Sequence, residues 1–567
     1  MKNVDDNLSA VEIIKDNSNY LRGTIVDGLY DRITGAISDD DTQLIKFHGL
    51  YQQQDRDLES ERRKQKLEPY YMFMIRVRVP GGIASPSQWL NMDRIADTFA
   101  NKTIKLTTRQ AFQFHGVLKR NIKPLMKSIN GVLMDTIAAC GDVNRNVMCS
   151  PDIFQSDIHN DAYLDAKKIS LHLTPNTTAY HEIWLDRKLV EGGEKVNDKE
   201  PVYGKTYLPR KFKIAIAIPP RNDTDVFTND LSFIAIVNNG VLTGYNVVVG
   251  GGMGSTFGNT ETYPRLGDVI GYCQRDKVVD IAEKVVLVQR NNGNRKNRKN
   301  ARLKYTIENM GLDRFKTELY SKLGYELEAP KYYKFTSNGD YYGWKKGTNG
   351  KWSFSLFVEG GRVKDTEKYK LKTGLKEIAL FHDGDLRLTG NQNLIIANIS
   401  EVSKPKIVSI LSKYNIINGI NTSALRLNSI ACVAMNTCGL ANAESERYLP
   451  SLITKIEKVI NEYGLQNEAI TIRMTGCPNG CARPYVAEMA FIGKGPGQYN
   501  MYLGGGFYGQ RLNRLYKESL TEPEILNEVS VLLKLFAEER KEEEKFGDFV
   551  IRKGIIREIK QGKEFSH

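Results

Sequence analysis

An internal repeat constrains the fold of this 567-residue chain more than any other feature. Three pairs of similar segments occur in the same order: 104–112 with 386–394, 144–149 with the residues before Cys432, and 245–252 with 499–506. The first two pairs have nearly the same offset, which is 282 residues for the first pair. The repeat predicts two homologous halves, about 70–330 and 331–515, related by pseudo-twofold symmetry with a ligand at their junction.

The hydrophobic patterns mix strands and helices within each half. Alternation of apolar residues indicates strands and a period near 3.6 indicates helices. The patterns predict strands at 72–79 and 469–474, and helices at 88–100, at 443–463 and from 522 onward. The Glu- and Lys-rich stretch 538–545 is typical of a solvated helix face. We therefore expect an α+β protein, and its length predicts two or three domains.

Four of the seven cysteines form two pairs in the last third of the chain, Cys432 with Cys438 and Cys477 with Cys481. Thiolates are soft ligands that select zinc, copper(I) or iron–sulfur clusters, and four of them suit a [4Fe–4S] cluster. Gaps of five and three residues fit a zinc ribbon poorly, although they leave zinc open as the alternative. The turn 475–481 offers backbone N–H groups that can point at sulfur and tune the cluster potential.

The residues around both pairs, ACVAMNTC at 431–438 and TGCPNGCAR at 475–483, resemble the nitrite and sulfite reductases that couple a [4Fe–4S] cluster to siroheme. The resemblance implies that the four cysteines bind the cluster and that Cys481 is also the axial ligand of the siroheme iron. It implies ferredoxin-like "parachute" domains and larger α/β domains that enclose the cofactors. The expected domains are an N-terminal arm at 1–69, ferredoxin-like halves at 70–150 and 331–420, and cofactor-binding α/β domains at 151–330 and 421–567.

Four basic residues match the substrate-binding residues of that family: Arg76, Arg145, Lys211 and Lys213. A small oxyanion in a buried site requires fixed positive charge, and ammonium groups can also donate protons. Lysines at i and i+2 share one face of a strand, and without the resemblance such a pair would indicate a protected edge strand. With the resemblance, a catalytic role for the two lysines is the favoured interpretation.

A second group is predicted to contact siroheme: Arg109, Gln110, Gln113, Arg210, Asn300, Gln392 and Cys481. Alternation with apolar residues predicts that Arg109, Gln110 and Gln113 lie on one face of a strand. His115 is a possible haem ligand by residue type, but the family uses cysteine, so His115 is not assigned that role.

The net charge of +13 and the basic stretch 290–302 raise the possibility of nucleic-acid binding. A solvated basic loop explains the stretch at least as well. A third explanation follows from the resemblance, because siroheme carries eight carboxylates that require Arg and Lys partners when buried. We therefore expect no nucleic-acid partner.

The sequence contains neither an apolar run of eighteen residues nor a secretion signal at its start, so we expect no membrane partner and a cytoplasmic location. Scattered cysteines in odd number favour a reducing compartment over a disulfide framework. Cys140, Cys149 and Cys273 are then expected to be small buried residues.

The resemblance implies the hemoprotein component of an assimilatory sulfite reductase, which reduces sulfite to sulfide with six electrons in sulfate assimilation and cysteine biosynthesis. The sequence has no dinucleotide fingerprint, so electrons are expected from a separate protein. The resemblance implies that this partner is a flavoprotein that passes electrons from NADPH through FAD and FMN, and we expect it to dock on the N-terminal arm. The alternatives are a ferredoxin-dependent sulfite or nitrite reductase and a non-catalytic iron–sulfur or nucleic-acid-binding protein. Lys213 and the arm favour sulfite, with nitrite as a side substrate.

Overall fold

The computed structural model describes residues 8–566 except 153, 155, 181–182, 186–187, 192–197 and 420–421. The helices of the described residues are α1 Ala10–Asn17, α2 Ile25–Tyr30, α3 Asp39–Leu44, α4 Glu59–Lys64, α5 Pro86–Phe99, α6 Ile122–Asn130, α7 Ser156–His172, α8 Val278–Asn292, α9 Leu303–Met310, α10 Leu312–Leu323, α11 Leu371–Ala379, α12 Lys404–Lys413, α13 Ile416–Gly419, α14 Ala424–Leu427, α15 Leu449–Glu462, α16 Glu522–Glu539 and α17 Phe546–Arg552.

The strands are β1 Leu50–Gln54, β2 Tyr71–Val77, β3 Ile83–Ala84, β4 Ile104–Leu106, β5 Phe112–Val117, β6 Met148–Cys149, β7 Ile183–Leu185, β8 Lys188–Glu191, β9 Ile214–Ala217, β10 Arg221–Asn222, β11 Leu231–Asn238, β12 Val241–Val249, β13 Asp268–Gln274, β14 Ser337–Asn338, β15 Gly343–Lys346, β16 Trp352–Leu356, β17 Arg362–Val363, β18 Asp385–Leu388, β19 Leu394–Ile399, β20 Ser429–Ala431, β21 Ile472–Thr475, β22 Met489–Gly495, β23 Gln498–Leu503 and β24 Arg514–Leu520.

Two five-stranded antiparallel sheets form the ferredoxin-like part and exchange their last strands. The first sheet has the order β1-β2-β5-β4-β17 and the second has the order β15-β16-β19-β18-β3. Each sheet therefore ends on a strand from the other half, and side chains from both sheets share one hydrophobic core. The halves thus cannot separate without losing strand pairs.

A glycine pair precedes each exchanged strand. Gly82 and Gly361 have φ angles of 77° and 65°. A Cβ at Gly82 would lie 2.4 Å from the Leu388 carbonyl oxygen, and one at Gly361 would lie 2.5 Å from that of Leu106. Only glycine combines this backbone conformation with so close an approach, so the same residue type recurs at equivalent places.

Two mixed sheets form the α/β part and share a topology. Their orders are β13-β12-β11-β9-β6 and β20-β21-β22-β23-β24. In the first, β6, β9 and β11 are parallel, and in the second β20, β21 and β22 are parallel. Because β6 and β20 occupy equivalent edges, the predicted pseudo-twofold relation extends from sequence to topology. The fold is α+β, as predicted.

Most predicted elements are present, with shifted ends. Strand 72–79 corresponds to β2 and helix 88–100 to α5. The helix predicted from 443 begins only at Leu449, because Ser445 and Glu446 are used in the turn that leads into it. The strand predicted at 469–474 is β21, and the tail helix is α16.

The N-terminal arm is integrated into the first half. Its strand β1 pairs with β2 along all five residues and takes the edge position that β15 has in the second sheet. The fully buried Lys15 donates to Glu12 and to the Leu208 carbonyl oxygen, at 2.9 Å. Arg295 contacts Glu12 at 2.6 Å, and Arg298 contacts Asp142 at 2.6 Å. Two arginines of the basic stretch therefore serve an internal ion-pair network that attaches α1.

Candidate active site

The two cysteine loops start at the same edge of one sheet. Cys432 directly follows β20, and Cys477 follows β21 by one residue. These strands are parallel neighbours, so their carboxyl ends lie side by side. The pairing of β20 with β21 therefore brings together two cysteine pairs that are far apart in the sequence.

The loop geometry supplies hydrogen-bond donors to sulfur. The Gly476 N–H donates to Cys432 Sγ at 3.4 Å, and the Asn479 side-chain amide donates to Cys477 Sγ at 3.4 Å. A Cβ at Gly476 would lie 2.5 Å from the Ala443 carbonyl oxygen, so this close turn requires glycine. Such donors stabilise thiolate and sulfide sulfur, which fits an iron–sulfur site.

Three of the four cysteine thiols, Cys432, Cys438 and Cys477, have raised pKa values. Burial raises the pKa of Cys477 to about 11, and burial also raises the pKa values of Cys432 and Cys438; in each case Cys481 adds the next largest effect. The four thiols therefore face a common region and resist becoming anionic together without a compensating cation. Within the described residues, no three His, Cys, Asp or Glu side chains converge as the ligands of one metal ion would. The donor set of four separate thiols with amide donors fits a [4Fe–4S] cluster, in which each cysteine binds a different iron.

Cys481 is the exposed member of the set, and the lysine pair lies in its electrostatic range. Burial, followed by Arg210, lowers the pKa of Lys211 to about 7, and burial followed by Lys211 lowers that of Lys213 well below its usual value. Proximity to the Cys481 thiolate opposes both shifts. The chain thus gathers lysine side chains beside the thiol that was predicted to join the two cofactors.

The local backbone explains the position of the lysines. They flank Phe212 just before β9, in an extended segment whose Phe212 carbonyl accepts from the Arg145 N–H at 2.9 Å. The Phe212 N–H donates to the Val143 carbonyl at 3.1 Å. The lysines lie just ahead of the strand rather than within it, but this pairing brings them next to Arg145.

Arg76 and Arg145 converge from two elements. Arg76, on β2, donates to Gln113 Oε1 at 3.1 Å and to Cys140 Sγ at 3.2 Å. Arg145 donates to the carbonyl oxygens of Ala139 and Gly141, at 2.9 and 3.3 Å. The structure therefore brings together all four residues predicted to bind substrate.

Arg109 and Gln110 do not lie on a strand face, so that part of the prediction was wrong. They occupy the turn between β4 and β5, and only Gln113 is on β5. Gln110 has a positive φ angle of 51°, which is typical of a turn. The backbone here therefore does not have the extended conformation that the alternation of apolar residues suggested. Arg109 is still held inside, donating to Asn229 Oδ1 at 2.9 Å and to the Asn146 carbonyl at 2.6 Å. Burial, followed by Arg145, lowers its pKa to about 9.

Gln110 and Gln392 are equivalent residues of the repeat with equivalent contacts. The amide of Gln110 donates to the Cys149 carbonyl at 2.8 Å, and that of Gln392 donates to the Ala431 carbonyl at 2.9 Å. Both side chains are buried, and Gln110 also donates to the Leu388 carbonyl oxygen of the other half at 3.0 Å. Their predicted contact with siroheme stays a prediction.

The other predicted siroheme contacts are more dispersed. Burial, followed by Arg298, lowers the pKa of Arg210. Asn300 donates to the Glu261 carbonyl at 2.8 Å and lines a cavity of about 450 Å³ together with Lys563. His115 contacts Gln113 in the interior, and burial followed by Arg362 lowers its pKa to about 3.

Several residues of the site carry no sequence signal. Tyr51 on β1 is half-buried near Arg145, and desolvation raises its pKa. Arg302 forms a two-point contact with Asp230 at 2.9 and 2.7 Å, and Lys304 is buried beside it. Cys140, Cys149 and Cys273 are buried, as predicted. Tyr51, Arg302 and Lys304 reach the site through tertiary contacts, which no local pattern reports.

Comparisons with known proteins agree with this arrangement. The family model "Nitrite/Sulfite reductase ferredoxin-like half domain" matches residues 64–132 and 345–414, and the model "Nitrite and sulphite reductase 4Fe-4S domain" matches residues 165–327. The second match covers the first α/β half, whereas the four cysteines lie in the second half. Within the described residues, no helix has the length and apolar character needed to span a bilayer.

Curated relatives match over nearly the whole chain. A sulfite reductase [NADPH] hemoprotein beta-component from Staphylococcus haemolyticus is 59% identical, with coverage of 99% of this chain and 98% of that protein. The protein of the same name from Anoxybacillus flavithermus is also 59% identical, with coverage of 98% and 97%. Among solved structures, the NirA protein of Mycobacterium tuberculosis shares the fold with a TM-score of 0.76, 24% identity and coverage of 96% and 97%.

Proposed function

Because the chain belongs to the nitrite and sulfite reductase family, we propose that it is the hemoprotein component of an NADPH-dependent assimilatory sulfite reductase. It reduces sulfite to sulfide with six electrons, in sulfate assimilation and cysteine biosynthesis. Its cofactors are siroheme and one [4Fe–4S] cluster. We also propose that it acts in the cytoplasm.

The observation that carries the proposal is the excess of positive charge beside Cys481. Arg145, Arg210 and Arg302 all lower the pKa of Lys211, and the opposing influence comes from the Cys481 thiolate. Buried charges of one sign are stable only when anions balance them. The carboxylates of siroheme and a doubly charged sulfite supply that balance.

The substrate residues have separable roles in this proposal. Arg76 and Arg145 are fixed by carbonyl and amide partners, so their remaining N–H groups can bind the sulfite oxygens with little reorganisation. Lys211 and Lys213 donate protons to oxygen as it leaves as water. A pKa of about 7 for Lys211 is near the working pH, where proton donation is most effective.

Cys432, Cys438, Cys477 and Cys481 would hold the cluster, and Cys481 would also bind siroheme. When bound, the two cofactors would supply the electrons for the reduction. Arg109, Gln110, Gln113, Arg210, Asn300 and Gln392 are proposed siroheme contacts. Arg109 has the best support, because it is half-buried and lies near Arg145 in the basic cluster.

The electron donor is proposed to be a flavoprotein that carries FAD and FMN and oxidises NADPH. We propose the N-terminal arm as its docking element. The exposed apolar side chains of the arm include Val26, Tyr30 and Ile33, with exposed fractions of 56%, 67% and 97%. Exposed apolar side chains of this kind are common at protein interfaces.

An absorption spectrum of the purified protein, before and after dithionite, tests the cofactor proposal. We expect siroheme bands and faster oxidation of a reduced dye by sulfite than by nitrite at low substrate concentration. A strong preference for nitrite would identify a nitrite reductase instead. A protein that binds no tetrapyrrole after expression with siroheme synthesis would overturn both assignments.

Docking is tested separately by Ile33→Asp. We expect NADPH-driven turnover with the flavoprotein to fall at least tenfold, while turnover with a chemical reductant stays within twofold. Deleting residues 1–60 is a poorer test, because it removes β1 from the first sheet. Equal rates for Ile33→Asp and the unsubstituted protein in both assays would argue against the arm as the docking element.

A further inference from the structure

One arginine joins the Cys481 loop to both copies of the repeat. Arg483, two residues after Cys481, donates to the Thr108 carbonyl oxygen at 2.8 Å and to the Gly390 carbonyl oxygen at 2.8 Å. Thr108 and Gly390 are equivalent in the repeat, at the offset of 282 residues. A single guanidinium therefore lies at the pseudo-twofold junction and contacts the same atom type from each half.

The Thr108 turn also contacts the ligand loop directly. Thr108 Oγ1 donates to the Cys481 carbonyl oxygen at 3.0 Å. The loop is thus tied to one turn at two places, by the backbone of Cys481 and by the side chain of Arg483. Gly390 replaces threonine in the second half because a Cβ there would lie 2.8 Å from the Asp223 carbonyl oxygen.

A buried carboxylate holds this arginine in place. Asp225, from the first α/β half, accepts from Arg483 Nε and from Arg473 Nη1, the latter at 2.7 Å. All three side chains are at most 8% exposed. Arg473 also donates to the Arg483 carbonyl at 3.0 Å. An unpaired carboxylate would be unstable here, so each member of the triad fixes the others.

The backbone at Arg483 needs such support. Its φ and ψ are 53° and 49°, in the left-handed region that non-glycine residues rarely occupy. Surrounding contacts must therefore determine this conformation. The Asp225 pairing supplies those contacts from the opposite half of the chain.

We propose that Asp225 and Arg483 are positioning residues that fix the Cys481 loop at the junction of the two halves and so set the orientation of its thiolate toward siroheme. The inference rests on the proposed cofactors for the identity of the bound group. The restraint on the loop does not depend on sulfite reduction, so experiments can disprove the restraint and the proposed function separately.

Hydrogen exchange of the holoprotein tests the restraint directly. In Asp225→Asn we expect exchange in segment 477–483 to accelerate at least tenfold, and in Asp225→Glu we expect a smaller acceleration. The matched control is Asp165→Asn, which removes another buried carboxylate with an arginine partner, Arg275 at 2.6 Å. The control should leave exchange in 477–483 within twofold of the unsubstituted protein.

Cofactor and kinetic measurements separate positioning from general loosening. In Asp225→Asn we expect the influence of cluster reduction on the siroheme absorption bands to weaken. We expect kcat with a chemical reductant to fall at least fivefold, with KM for sulfite within twofold, because the residues that bind the anion are unchanged. Unchanged exchange and unchanged bands in a folded Asp225→Asn would overturn the proposal.

If Asp225→Asn does not fold, the Thr108→Val variant tests the proposal instead. This substitution keeps the side-chain shape and removes only the hydrogen bond to the Cys481 carbonyl. An acceleration of at least threefold in 477–483 supports the proposal, and unchanged exchange overturns it. If the protein proves to reduce nitrite rather than sulfite, the exchange result still stands on its own.

Discussion

Arg76 and Arg145 donate to the same backbone atom, the carbonyl oxygen of Ala139, at 3.4 and 2.9 Å. The two arginines come from a strand and from a loop 69 positions apart, and their shared acceptor fixes the spacing of their guanidinium groups. A rigid pair of this kind suits recognition of a small oxyanion, since little conformational entropy is lost on binding.

Replacing Lys213 should affect turnover without affecting the cofactors. We expect Lys213→Ala to keep the absorption spectrum and to lower kcat about 100-fold, the effect of losing a positioned proton donor. Steady-state assays with a chemical reductant measure it. Lys296→Ala removes an exposed lysine and should leave kcat within twofold; a similar loss in that control would mean that charge in general, not Lys213, matters.

Cys481→Ser should remove iron and siroheme together. Serine is a poor ligand for iron, so we expect iron to fall from about five atoms per chain to less than one and the siroheme bands to be lost. Iron analysis and absorption measure this. Cys273→Ser changes a buried cysteine outside the two pairs and should retain both cofactors. Full activity in Cys481→Ser would show that the ligand assignment is incorrect.

The stability of the siroheme-free protein should rise with pH between 7 and 8. Lys211 has a pKa of about 7 in the folded protein and 10.5 in the unfolded chain, so in this window the unfolded chain binds more protons. Proton release on folding makes the free energy of unfolding increase with pH. Lys213 is shifted in the same direction and adds to the slope.

Urea unfolding of the siroheme-free protein at pH 7.0, 7.5 and 8.0 measures this slope. This pH window lies below the pKa values of cysteine and tyrosine in the unfolded chain. Lys211→Met should reduce the slope, and Lys211→Arg, which stays charged, should reduce it too while keeping the positive charge. A slope that is unchanged in Lys211→Met would contradict the assigned pKa.

Loss of Lys15 should destabilise the whole first half. Removing one partner of a buried ion-pair network costs about 3–5 kcal/mol, because the remaining charges stay buried. We expect Lys15→Ala to lower the free energy of unfolding by about that amount in denaturant titrations. Lys205→Ala breaks an exposed pair with Asp16 and should cost less than about 1 kcal/mol. Equal effects would mean that the network around α1 contributes little.

The sequence alone determined the four cysteine ligands and the symmetry, and its resemblance to a known family implied the siroheme. Residue type and spacing are local properties, so the two cysteine pairs and the repeated segments could be recognised without coordinates. Periodicity also predicted β2, α5, β21 and α16, because alternation of buried and exposed side chains follows from strand and helix geometry.

Only the tertiary structure decided how the halves interlock. The exchange of β3 and β17 pairs strands more than 250 residues apart, and Arg483 contacts carbonyls of both repeat turns. The turn positions of Arg109 and Gln110 likewise follow from close backbone approach rather than from hydrophobic pattern. Such contacts depend on the register of distant strands, and the free energy that sets this register comes from packing of the complete core rather than from any local segment.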